Sequence, residues 1–115
     1  MRILGYSKRW EKLQRPVHTT FRFPRKDKDW YAGEVVQVYY KNRTPQREYL
    51  GIAQIFRKEE RWVSDIRNSE AIEDGFPSGK EEMWQWLLKS QKGIKARDAI
   101  NKLTLKWAGA PEVKE

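Results

Sequence analysis

The stretch VHTTFRFPRKDKDW, Val17 to Trp30, gathers the residue types able to hold an anion or move a proton. Alternate side chains of an extended segment point to opposite faces. His18, Thr20 and Arg22 therefore share one face, with Thr19, Phe21 and Phe23 on the other. The phenyl rings mark their face as core, which leaves His18, Thr20 and Arg22 to line a cleft. Arg22 can fork two hydrogen bonds to a phosphate or a base edge, and Thr20 can donate or accept one. The following loop supplies Arg25, Lys26 and Lys28 as phosphate contacts. Lys8 and Arg9 precede Trp10, and Lys41 and Arg43 extend the basic patch from a later turn.

Other chemistries find less support. His18 is the only histidine and there is no cysteine, so no zinc set can form without several suitably spaced carboxylates, and none is evident. A lone His18 also lacks a visible partner as general base. The chain has no phosphate-binding P-loop, no glycine-rich dinucleotide fingerprint and no nucleophile elbow. No metal and no cofactor is expected.

Charge points toward a polyanion. Of the net +8, all falls in residues 1–67, with sixteen Lys/Arg against eight Asp/Glu; residues 68–115 balance at eight each. Residues 1–28 alone carry nine cations against two carboxylates. Such an imbalance attracts phosphates through counterion release. Trp10 and Trp30 lie among basic and polar residues and are candidates to stack on a base, with Trp62 behind them. Trp84, Trp86 and Trp107 fall in patterned segments and read as core or half-core.

At 115 residues with six tryptophans the chain can bury one modest core. MRILGY reads as a first strand. SKRWEKLQ reads as one or two helical turns, with Ser7 as a possible N-cap. VHTTFRF and EVVQVYYK read as strands, and REYLGIAQIFRKEERWV as a long strand or bent pair with Gly51 at a bulge. NSEAIEDGF is a short helix stopped at Gly75. SGKEEMWQWLLKSQ is a helix with a capping box from Ser78 to Glu81 and an apolar stripe of Met83, Trp84, Leu87 and Leu88. INKLTLKWA alternates Leu103, Leu105 and Trp107 inward as a half-buried strand. These elements give an α+β domain over residues 1–108, with a flexible tail over 109–115. The first residues lack a signal-like apolar run and no segment approaches about 20 apolar residues. The expectation is a cytoplasmic monomer without a membrane partner.

Two local patterns carry a family resemblance. One is Thr20-Phe21-Arg22 followed by a loop and Gly33-Glu34-Val35; the other is Ala71, Asp74, Gly75 and Phe76 before a helix. In this order over residues 1–107 the chain resembles the ASCH family of the PUA superfamily. The resemblance implies a small PUA-like β-barrel of about five to six strands flanked by two to three helices. It also implies a cleft that takes RNA, nucleotides or modified bases. Some members resemble small amidohydrolases of acylated cytidine, and others are ribonucleases. The amidohydrolase pattern has a Lys three residues before the Thr, where this chain has Val17, plus a later acid. Lys12 and Arg15 are near but offset, unless a gap before Pro16 shifts the register. Glu70, Glu73 or Asp74 could be the acid. As an enzyme, the chain would use Thr20 and Glu73; with Val17 in the Lys position, little turnover of acylated cytidine is expected. RNA or nucleotide binding is thus the leading expectation. The alternatives are hydrolysis of modified nucleosides or RNA, and a protein-interaction module with an acidic partner.

Overall fold

The computed structural model describes residues 1–109. Five strands form one sheet: β1 (Arg2–Tyr6), β2 (Val17–Arg22), β3 (Val35–Tyr40), β4 (Glu48–Trp62) and β5 (Ala99–Gly109). Their spatial order is β1-β3-β4-β5-β2, with only β1 and β3 parallel. Helices α1 (Asn68–Asp74) and α2 (Lys80–Ser90) lie between β4 and β5 in sequence. Short 3-10 segments span Glu11–Gln14 and Val63–Asp65. Gly109, read as the start of the tail, is the last residue of β5; residues 110–115 of the proposed tail lie outside the described residues.

Alternating apolar residues build the sheet. Leu4, Val36, Val38, Ile55, Leu103 and Leu105 are fully buried on its concave side. β4 is one long strand rather than a bent pair, and its irregularities fall near the expected place. The β3–β4 register skips Leu50 beside Gly51, and the β4–β5 register skips Phe56. Such bulges increase local bending and help the sheet curl.

The curl stops short of a barrel. Tyr6 Oη and His18 Nε2 are 2.8 Å apart, so the β1 and β2 edges face each other. No ladder joins them among the described residues. The physical reason lies in two edge carbonyls. Tyr6 O accepts from Lys41 N–H, so the preceding Gly5 O points away from β3. The Arg22 guanidinium takes it at 2.8 Å. The Lys12 ammonium takes Thr19 O on the β2 edge at 2.7 Å. Side-chain cations thus occupy acceptors that a closing ladder would need.

Both faces of β2 are covered: Phe21 is core as read from the sequence, and His18 and Thr20 on the other face are buried as well. His18 and Thr20 pair with Leu105 and Leu103, so they share the concave core face. Phe21 pairs with Lys102 on the other face, where Lys102 Nζ reaches Glu70 of α1 at 2.8 Å. Phe21 joins the core cluster, so burial on both faces, not one apolar face, is the rule for this strand.

The helix ends also differ from expectation. Ser7 opens no helix; only the 3-10 turn forms before Pro16. Ser78 does not cap α2, whose first residue is Lys80 after Gly79. Instead Asn68 Oδ1 accepts the Lys80 N–H at 2.8 Å, tying α2 to the start of α1. α1 ends at Gly75 (φ 125°), as the sequence indicates.

Candidate functional site

A cleft of about 600 Å³ opens along the unpaired edge of β2. Tyr6, Trp10 and Lys12 line it from the first part of the chain. Thr20 and Arg22 come from β2, Asp74 and Phe76 from the end of α1, and Met83, Trp86 and Leu87 from α2. The β3–β4 turn completes it with Lys41, Asn42, Arg43 and Gln46.

Lys12 and Asp74 are both almost closed to water. Lys12 Nζ donates to Asp74 Oδ1 at 3.1 Å and to Thr19 O at 2.7 Å, and Thr19 Oγ1 donates to Asp74 Oδ1 at 3.3 Å. Burial lowers the Lys12 pKa and the Asp74 charge only partly restores it. Burial likewise raises Asp74, with Lys12 opposing. Both groups are shifted toward sharing one proton in a low-dielectric site.

Arg22 is held rather than neutralised. Its Nε donates to Thr20 Oγ1 at 3.1 Å, its second amino group binds Gly5 O, and its guanidinium carbon lies 4.9 Å from the Tyr6 ring centre. No carboxylate pairs with it among the described residues. Its charge therefore remains available to an anion. Burial pushes the Tyr6 phenol up to about 12, so Tyr6 stays a neutral donor or acceptor.

His18 lies behind this surface. Burial, then Lys12 and Arg22, depress it to about 3. It is neutral at ordinary pH and a weak base. Nε2 meets Tyr6, while the buried Nδ1 has no hydrogen-bond partner.

Two tryptophans expected to stack are occupied structurally. Trp30 is 4% exposed and lies beneath the guanidinium groups of Arg2 and Arg25, at 4.5 and 5.5 Å from its centre. Trp10 packs edge-on against Phe76 and Trp86, with ring centres at 5.1 and 5.3 Å. Gly75 lies directly against it: a Cβ there would fall 2.6 Å from a ring carbon. Trp10 is a fixed wall. Trp86, read as core or half-core, is 36% exposed and lines the cleft.

The predicted cations divide into separate groups. Arg22, Lys41 and Arg43 line the cleft. Lys8 and Arg9 are exposed beside it; Lys8 covers the Trp10 ring, and Arg9 pairs with Glu48. Arg25, Lys26 and Lys28 lie toward the Arg2 end of β1, away from Tyr6: Arg2 bonds Lys28 O, and Arg25 pairs with Asp27. The excess in residues 1–28 is thus not one patch, because β1 and the loop after β2 carry its members to different ends.

For catalysis, Glu73 is exposed and Asp74, one residue later, enters the cleft. Val17 is 40% exposed. Lys12 approaches the same strand from the 3-10 turn. Its importance was hidden because a lysine in a polar segment ordinarily remains solvated. Glu70 serves the fold instead. Burial opposes its ionisation, but Arg61, Lys102 and the Arg67 amide outweigh that and hold its pKa at about 2.

Among the described residues no group of three or more His, Cys, Asp or Glu could hold a metal, and no helix is long and apolar enough to cross a membrane. No protein family, curated protein or solved structure matches the chain in the three comparisons.

Proposed function

We propose that the chain binds a nucleotide, free or within RNA, in the cleft beside β2. The observation carrying this reading is Arg22, a guanidinium without a carboxylate partner among the described residues, oriented by Gly5 and Thr20. Lys41 and Arg43 add positive charge, and Trp86 adds an accessible aromatic surface. This combination suits a phosphate and a base. In terms of the ASCH resemblance, the PUA-like barrel would be interrupted where the ligand enters. Calorimetric titration with uridine and cytidine monophosphates tests the reading. Binding that weakens with salt and with Arg22→Ala supports it; no binding at low salt overturns it. RNA retained against excess polyglutamate separates nucleotide recognition from an acidic-protein interface.

A second reading is hydrolysis of an acylated nucleoside, favoured by the buried Lys12–Asp74 pair. The unprotonated form of a lysine can accept the proton of a nucleophilic hydroxyl in the same cleft, here Thr20. Thr20 Oγ would then attack the acyl carbon, and the departing amine would take the proton. Water would cleave the resulting ester. Release of acetate from N4-acetylcytidine, followed by chromatography, tests this reading independently of binding.

A further inference from the structure

Resting on the nucleotide-binding reading, we infer that the β3–β4 hairpin, residues 39–49, is a platform for single-stranded nucleic acid leading into the cleft. The observation is the paired aromatic and cationic composition of this one hairpin. Tyr39 and Tyr49 face each other across the strands with ring centres 5.4 Å apart. The Arg47 guanidinium lies 5.2 Å from the Tyr39 centre. Tyr49 is 47% exposed and Arg47 is exposed. The intervening turn supplies Lys41 and Arg43 to the cleft itself. An extended strand with one nucleotide in the cleft can therefore continue across the outer tyrosines without leaving the hairpin.

Charge selects the occupant. Residues 39–49 contain Lys41, Arg43 and Arg47 against one carboxylate, Glu48, which is paired with Arg9. No carboxylate pairs with the three hairpin cations among the described residues. The exposed Tyr49 ring, backed by the half-buried Tyr39 and flanked by unneutralised cations, matches a base between phosphates. An acidic peptide would use the cations but leave the Tyr39–Tyr49 surface without a planar partner.

Lys41 gives a second, independent sign. Its φ of 51° is the only positive value at a non-glycine residue among the described residues. Asn or Gly suits that left-handed conformation better. The Lys41 side chain reaches the cleft and the Tyr40 ring, at 5.5 Å. Strain of this kind concentrates at functional positions.

The test compares an oligouridine of about ten nucleotides, within the range one small domain covers, with uridine monophosphate. Arg47→Gln and the pair Tyr39→Ser with Tyr49→Ser are measured against the unaltered chain, with thermal melting as the fold control. Expected are a loss of oligouridine affinity of roughly tenfold or more for the tyrosine pair, and a shallower log–log salt slope by about 0.7 for Arg47→Gln. Monophosphate affinity stays unchanged. Arg47 is exposed, so its variant remains informative if the tyrosine pair fails to fold. Unchanged oligouridine binding and slope with normal monophosphate binding overturns the platform but leaves the cleft reading intact. Hairpin-dependent oligouridine binding without monophosphate binding supports the platform and overturns the cleft reading. Displacement by polyglutamate as readily as by unlabelled oligouridine overturns the platform. A deoxyuridine oligomer bound equally well assigns recognition to bases and phosphates, and weaker binding assigns part of it to the 2′-hydroxyl.

Discussion

Lys12 Nζ stands 3.1 Å from Asp74 Oδ1, a contact between the 3-10 turn and the end of α1 that is almost closed to water. It brings together segments 62 residues apart at the gap between the sheet edges. Such a pair offsets desolvation only while both partners remain. Removing one charge leaves the other buried and unpaired.

Lys12→Met is therefore expected to destabilise the fold by about 3–5 kcal/mol in urea denaturation. Adding Asp74→Leu should recover most of the loss, since a buried ion pair can often be replaced by apolar packing. Nucleotide affinity should not recover, because the cleft loses its polar floor. Equal destabilisation by the single and double variants would show that Lys12 acts through packing rather than charge.

Arg22→Ala should weaken nucleotide binding by about 1.5–3 kcal/mol, the range for a hydrogen bond to a charged group. Arg22→Lys should recover little, because an ammonium cannot hold Gly5 O and Thr20 while presenting a planar fork. Melting should shift modestly, since Arg22 is half-buried and water can reach the freed carbonyl. Unchanged affinity in both variants removes Arg22 from the site.

Acid should destabilise the protein in a defined window. His18 titrates near 3 folded and near 6.5 unfolded. Between those values the unfolded chain binds more protons, so stability falls with falling pH by at most about 1.4 kcal/mol per unit. Glu70, lowered from 4.5 to about 2, adds a second loss as pH falls through that lower window. Asp74, raised by burial, works in the opposite direction. The His18 share is thus the difference between the chain and His18→Gln, measured by melting from about pH 7 to 5. Parallel curves would show that His18 protonates freely in the folded state.

Lys41→Asn separates stability from binding. Asn tolerates the left-handed backbone at φ 51° better than lysine does. The variant should gain up to about 1 kcal/mol in urea denaturation while losing affinity for uridine monophosphate. A loss of stability would show that the lysine side chain supports the hairpin.

The regular elements were legible where pattern and burial coincide. Leu103 and Leu105 alternate against polar residues and mark β5; Val36 and Val38 do so for β3. Gly75 marks the end of α1 because a positive φ favours glycine. The proximity of Thr20 and Arg22 in the cleft was legible, since it follows from one strand. Lys12 and Asp74 were not joined in advance, because their contact depends on how the 3-10 turn packs against α1. Trp10 and Trp86 exchanged expected roles for a related reason: their exposure is set by neighbouring elements rather than by their own segments. Trp30 was misleading because Arg2, distant in sequence, covers it.

Hydrolysis gives the last test. Val17 stands where the amidohydrolase pattern has lysine, which alone would leave Thr20 without a base. The fold brings Lys12 to the same cleft as Thr20 and Asp74, and burial lowers its pKa. In the hydrolase reading Lys12 would serve Thr20 as base only in its unprotonated form, which burial favours and Asp74 opposes. In that reading, acetate release from N4-acetylcytidine should fall by about 10²-fold or more in Thr20→Ala and in the stability-restored pair Lys12→Met with Asp74→Leu. Lys12→Arg should not rescue it, because a guanidinium remains charged and cannot take a proton. Nucleoside binding retained in Thr20→Ala would separate lost chemistry from a lost site. No release by the unaltered chain, with nucleotide binding intact, overturns the hydrolase reading and leaves Lys12–Asp74 as the floor of a binding cleft.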